Sequence, residues 1–194
     1  MYLNCHSFHS LRYGTIPLED LIKQAVELNI TAMALTDINT VTGIYEFIKE
    51  CKNTTIKPLV GIEFRDNNQL KYIGIATTFK GVGEMNRFRT KHNFEQTELP
   101  LVAPKFENVI IIYPISNCPE ILSENEYIGI TSEQLIKLYE PKLKEKISKM
   151  VILQPVTFRT KKEYNLHKIL RAIDNNIILS KLNESDYCSI SEVM

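Results

Sequence analysis

Along this 194-residue chain, short apolar runs stop at polar turns, and the segments that follow carry apolar residues every three or four positions. That pattern is strand, turn and helix in repetition. Leu3 to Cys5 reads as a first strand, and the segment after Pro17 as a helix with Leu18, Leu21, Ile22, Ala25 and Val26 on one face and a stop at Asn29. Thr31 to Thr36 and a helix from about Val41 to Cys51, with Ile44, Phe47 and Ile48 as its apolar face, repeat the unit. Leu59 to Phe64 is a third strand, and the polar stretch Arg65 to Gln69 predicts a turn into an antiparallel neighbour, Lys71 to Thr77. A helix from about Gly81 to Lys91 follows, then a long surface loop from Phe94 to Lys105, interrupted by Pro100 and Pro104.

Asn108 to Tyr113 is almost uninterruptedly apolar, the form of a strand buried on both faces, and Tyr127 to Ile130 and Met150 to Leu153 are shorter runs of the same kind. Ser132 to Ile147 predicts a helix with a Lys-rich solvated side. Thr160 and Glu163 form the sequence of a capping box opening a last helix that runs to about Asn175. Strands alternating with helices describe a doubly wound sheet or an irregular (β/α) barrel. Because three early strand ends carry polar residues toward one centre, the barrel is the preferred α/β architecture, with about seven strands in a single domain. Residues 1–182 form that domain, and the polar stretch 183–194 reads as a C-terminal tail.

Basic and acidic residues balance at 23 each, which argues against a dedicated nucleic-acid-binding module. The four cysteines, Cys5, Cys51, Cys118 and Cys188, form no C-x-x-C pair and read as reduced and structural. The chain opens without a charged-then-apolar leader and has no apolar run near the ~20 residues of a membrane span, which predicts a cytoplasmic location and no membrane partner.

Neither a phosphate-binding G-x-x-x-x-G-K-[ST] loop, nor a G-x-G-x-x-G turn, nor a G-x-S-x-G elbow occurs. The convergent candidates are His6, Asp37 and Glu63, each at the end of a predicted strand. Three such donors could hold one metal loosely, or they could form a hydrogen-bonded polar plug in a barrel mouth. His9 lies near them, either at the site or as a turn residue. His92 and His167 fall in predicted helices, where packed or exposed roles are expected.

Three blocks, Tyr2-Leu-Asn-Cys-His-Ser-Phe-His-Ser-Leu-Arg-Tyr-Gly14, Ala34-Leu-Thr-Asp37 and Lys57-Pro-Leu-Val-Gly-Ile-Glu63, together resemble the polymerase-and-histidinol-phosphatase (PHP) domain at the start of bacterial DNA polymerase III alpha subunits, most similarly those of Bacteroides-like bacteria. Ile73-Gly-Ile-Ala76 and His167-Lys-Ile-Leu170 extend the resemblance along most of the chain. It implies a barrel whose metal-binding members hold a trinuclear cluster at the C-terminal face. Carried over residue by residue, the opening His-x-His becomes Asn4-Cys-His6, the Asp before the first glycine becomes Tyr13, and the His after Thr-Asp becomes Ile38. Glu63 keeps the second-motif acid, Lys71 replaces a histidine, and Pro155-Val-Thr157 stands where the family has Asp-x-His. Ile, Pro and a cationic Lys do not ligate metals, so no cofactor is expected; any residual site would use His6, Glu63 and Asp37, and Asp37 is expected to stabilise a turn instead.

The resemblance implies a fragment of a DNA-directed DNA polymerase, a nucleotidyltransferase of DNA replication, in which this domain is a catalytically silent scaffold. The implied partners are the rest of the alpha subunit and the proofreading exonuclease subunit, with DNA met only through the full-length polymerase. The alternative is a metal-dependent phosphoesterase or 3′–5′ exonuclease with a reduced site. Lys71 is expected to neutralise Glu63 in the absence of metal.

Overall fold

The computed structural model describes residues 1–66, 68–139 and 141–194. Asn67 of the predicted 65–69 turn and Glu140 of the predicted 132–147 helix lie outside the described residues. The elements run β1 (Tyr2–Cys5), α1 (Leu18–Glu27), β2 (Ala32–Leu35), α2 (Ile44–Cys51), β3 (Lys57–Asp66), β4 (Gln69–Ala76), α3 (Phe79–Glu95), β5 (Val109–Pro114), β6 (Glu126–Ile130), α4 (Pro141–Lys144), β7 (Met150–Ile152), β8 (Pro155–Val156) and α5 (Lys161–Asp174). They form one eight-stranded sheet of order β7-β6-β5-β4-β3-β2-β1-β8. Pairings are parallel except at β4, which runs antiparallel to both β3 and β5, as the polar turn after β3 predicts.

The two edge strands of this sheet are successive in the chain, with only Leu153 and Gln154 between them. Leu153 N still donates to Ile130 O of β6, whereas Val156 O already accepts from His6 N beyond β1. Residues 150–156 therefore follow one path that changes neighbours midway, and the sheet curls back on itself as an irregular (β/α) barrel with seven strand positions.

Period-two alternation sorts the side chains. On β5, Ile110 and Ile112 join Ala34, Leu59, Ile73, Ile75 and Leu153 inside the barrel. Val109, Ile111 and Tyr113 of the same strand point outward, to a core with Phe64, Tyr72 and Met85. Helices α1 and α2 cover β1 and β2 through Leu18, Leu21, Ala25 and Phe47. Asn29 ends α1 in the left-handed region, φ 55°, which asparagine tolerates better than most residues.

Two expectations need correction. The predicted helix at 132–147 is broken into 3₁₀ turns at Ser132–Tyr139, the four-residue α4, and a further 3₁₀ turn at Ile147–Lys149. Pro141 supplies the reason in the sequence, since a proline has no backbone N–H with which to continue a helix. The expected surface loop before β5 is partly helix, because α3 continues to Glu95, and partly core, because Leu99, Ala103 and Phe106 are buried. Residues 183–194 touch the barrel near β8: Glu192 O accepts from Thr157 N, Met194 N donates to Phe158 O, and Val193 bridges to Phe158. One strand, β8, carries no apolar run long enough to signal itself.

Candidate functional site

Strand ends at the carboxyl side of the barrel place His6, Asp37 and Glu63 on one rim, as in barrel folds generally. His6 and Glu63 meet there; Asp37 does not join them. The Asp37 carboxylate accepts from Ser7 N (2.7 Å), Ser7 Oγ (2.8 Å) and Ser10 Oγ (2.7 Å), so it fastens the loop after β1.

Glu63 is fully buried at the centre of a polar network. Its Oε2 accepts from Asn4 Nδ2 at 2.9 Å and lies 3.0 Å from His6 Nε2. Asn4 and His6 are two residues apart on one strand path, and Asn4 Oδ1 accepts in turn from Thr36 Oγ1 at 2.7 Å. The other ring nitrogen of His6 lies 3.0 Å from Thr157 Oγ1, and that hydroxyl donates to Glu192 Oε2. On the far side of Glu63, Arg65 Nη2 lies 2.5 Å from Oε1. Burial alone would raise the Glu63 carboxyl. The charges of Arg65 and His6, with hydrogen bonds from His6 and Asn4, outweigh it and hold the group at about 2. Glu192 shifts the other way, raised foremost by burial.

Arg65 was missed in the sequence, where it was read as part of the turn. Strand β3 in fact continues to Asp66, so Arg65 falls two positions after Glu63 on the same face. Asn39 holds it there from the end of β2, donating to Arg65 O (2.6 Å) and accepting from Arg65 N (3.0 Å). The Lys71 expectation fails. Phe64 pairs with Tyr72 and Arg65 with Leu70, which leaves Lys71 as the extra residue of a β-bulge, and its ammonium donates to Gln69 Oε1 at 2.8 Å. The charge opposite Glu63 thus comes from along the strand and not from across the turn.

The remaining positions enclose the network. Tyr13 stands with its ring edge-on to His6 (5.5 Å) and to His167 (4.6 Å), under the guanidinium of Arg65 at 4.6 Å. Burial raises its phenol well above the ordinary range, against the opposing effect of Arg65. Ile38, Phe158 and Cys188 pack around Tyr13. Pro155 pairs with Asn4 on β8. His167 is fully buried in α5, with Nε2 accepting from Cys188 N (3.1 Å) and Nδ1 therefore donating to Tyr13 O (2.7 Å); burial foremost lowers it to about 4. His9 faces Glu46 on α2 at 3.5 Å, and His92 pairs with Thr97 on the opposite side of the sheet from the network. All four cysteines are free thiols.

A metal centre needs several donors with uncommitted lone pairs around one point. Both His6 nitrogens face oxygens, Glu63 is shared among Asn4, His6 and Arg65, and Asp37 is occupied by serines. Among the described residues, no group of three or more His, Cys, Asp or Glu could hold an ion. The residues present do not fit the metal cluster that the resemblance implies.

The curled sheet and the polar rim at its carboxyl end define a PHP-type barrel domain. The family model described as PHP domain matches residues 3–179, and the chain belongs to that family. Relatives include the DNA polymerase III subunit alpha of Staphylococcus aureus strain Mu50, 24% identical over 191 residues, covering 95% of this chain and 18% of that protein. The corresponding subunit of Chlamydia trachomatis is 43% identical over 61 residues, 31% of this chain and 5% of that protein. The chain thus spans less than a fifth of the length of these relatives. Among solved structures, a proposed metal-dependent phosphoesterase from Bifidobacterium adolescentis aligns with a TM-score of 0.39 at 11% identity, over 91% of this chain and 84% of that one. Among the described residues, no helix is long and apolar enough to cross a membrane.

Proposed function

We propose that this chain is the PHP portion of a bacterial DNA polymerase III alpha subunit, and that it serves there as a metal-free structural and docking module. In this reading residues 1–182 are the domain and the chain after them leads toward the polymerase body, in the cytoplasm. The polymerase body and the proofreading exonuclease subunit are its partners, and DNA is engaged only by the full-length polymerase. One observation carries the reading: the buried Glu63 is neutralised by side chains of the chain itself, chiefly Arg65 and His6. A carboxylate so paired has no need of a cation and offers none a place. Asn4, Tyr13, Ile38, Lys71, Pro155 and Thr157 are then positions from which metal ligands have been lost, and no water-activating centre remains.

Metal analysis of the purified chain tests the reading. The expected result is zinc and manganese far below one equivalent, with an unfolding temperature unmoved by chelator. One equivalent or more of either metal, lost in Glu63→Gln together with hydrolysis of DNA 3′ ends, overturns it in favour of a phosphoesterase. The polymerase assignment has its own check. An antibody against the chain should detect, in source cells, a polypeptide of the relatives' length, and a species no longer than this chain contradicts it.

A further inference from the structure

At the end of the barrel opposite the polar rim, the amino ends of the parallel strands surround a cavity of about 580 Å³. A closed barrel fills its interior with successive layers of side chains. Here the deeper layer is packed, with Ala34, Ile73, Ile112 and Leu153 buried. The layer nearer the mouth is not. Leu3, Leu59, Ile110, Tyr127 and Val151 belong to the inner cluster and come from five strands, yet each is only half-buried and lines the cavity. The sequence supplies a cause at β2, whose large residues Met33 and Leu35 face the outer core. Its inward positions, Ala34 beside Leu59 and, by alternation, Ala32 beside Lys57, add little volume.

Water in such a space finds few polar partners, and an apolar group displaces it readily. Apart from Tyr127, the polar side chains lining the cavity are Lys57, Thr77 and Thr78, and both threonine hydroxyls already donate to Asn108. Lys57 stands two positions before Leu59 on β3, hence on the same inner face, and is exposed at the mouth. Among the described residues it is the one charged side chain lining the cavity, and no carboxylate does so.

We propose that this cavity binds a fatty acid of medium chain length, its hydrocarbon tail inside the barrel and its carboxylate at Lys57. The volume is that of a ligand pocket, about 300–1,000 Å³. A polar ligand would lose its hydration inside without gaining hydrogen bonds in exchange. A cation at an otherwise uncharged mouth favours an anionic head over a cationic one. The site shares no residue with the Glu63 network and stands or falls independently of the polymerase assignment.

The test is a titration of the purified, isotope-labelled chain with sodium octanoate and sodium decanoate below their micelle concentrations, followed by backbone amide spectra. Saturable shifts are expected at Leu59, Ile110, Tyr127 and Val151. Decanoate should bind about fifteenfold more tightly than octanoate, because each buried methylene contributes about fourfold. Two variants separate tail from head. Val151→Trp puts a larger apolar side chain into the space, and in a chain that keeps or raises the parent's unfolding temperature, as cavity filling does, it should weaken decanoate at least about fifteenfold, the worth of two displaced methylenes. Lys57→Met, at an exposed position, should weaken octanoate about two- to fivefold, the range of an exposed ion pair, and leave 1-octanol unchanged. Shifts that do not saturate, equal affinity for the two acids, parental binding by folded Val151→Trp, or equal effects of Lys57→Met on octanoate and 1-octanol overturn the proposal. So does a ligand-free chain whose same amides move on dilution, which gives the mouth to a second copy.

Discussion

At Glu63 a single buried carboxylate has hydrogen-bond partners on Oε2, Asn4 and His6, and the guanidinium of Arg65 as an ion-pair partner facing Oε1, and the consequences of removing each neighbour differ. Arg65→Gln leaves the carboxylate with Asn4 and His6 alone, and stranding a buried charge typically costs about 3–5 kcal/mol. Urea unfolding should show a loss of that order, and the double variant Glu63→Gln/Arg65→Gln should recover part of it. A loss under about 1 kcal/mol in the single variant would mean that Arg65 is not the principal counter-charge. Two buried groups, His167 and Glu63, contribute to acid stability in different pH windows. His167 is lowered from 6.5 to about 4, so the unfolded chain binds the extra proton between those values. Its contribution is complete above pH 6.5 and is lost as pH falls toward 4, roughly 3 kcal/mol in all. Glu63, lowered from 4.5 to about 2, has the same sign in a lower window: full above 4.5, lost on the way to 2. His167→Gln can donate to Tyr13 O and accept from Cys188 N without titrating. It should flatten the upper arm of a stability–pH curve while leaving the lower one, and an unchanged upper arm would assign that arm elsewhere.

Strands β3 and β4 carry the rim, and their spacing has little tolerance. A Cβ on Gly61 would stand 2.2 Å from the Gly74 carbonyl oxygen of the neighbouring strand, and backbone cannot yield as a side chain does. Gly61→Ala should lose about 2 kcal/mol or more by thermal or urea unfolding, the size of an overpacked core. At α5, Thr160 Oγ1 accepts from Glu163 N, but Glu163 reaches back to Arg159 N and its guanidinium, one residue beyond the predicted box. Thr160→Ala should therefore cost about 1 kcal/mol, the worth of an ordinary N-cap. Glu163→Ala should cost more, since it also frees Arg159, and equal losses would show that the Arg159 contacts contribute nothing.

The barrel is held shut at its ends by segments far apart in the chain. Residues 188–194 return to the rim beside β1 and α5: Cys188 N bonds His167, Glu192 accepts from Thr157, and Gln24 Nε2 donates to Met194 O. A chain ended at residue 182 loses all three contacts. Calorimetry should find its unfolding midpoint lower by several degrees, given that about 1 kcal/mol shifts a domain of this size by about 2–4 °C. An unchanged midpoint would show that these three contacts contribute nothing to stability.

Element order and strand ends were legible in the sequence because they follow from local periodicity. His6 and Glu63 end apolar runs, and a residue at the end of a barrel strand faces the rim wherever the strand lies. Asp37 was expected to stabilise a turn, but the loop it fastens is the one after β1, about 30 residues earlier in the chain, and no local pattern names that partner. Registers and long-range returns were not legible. Lys71 and Arg65 were both near enough to serve Glu63, and one bulge residue, invisible as hydrophobic pattern, decided between them. β8 lacks an apolar run of its own and is a strand because β1 offers it a ladder. Glu192 meets Thr157 only because the chain comes back over 35 residues, and no periodicity encodes that approach. Local pattern sets where elements begin and which way residues face; which charged groups meet depends on how strands slide past one another and where the chain returns.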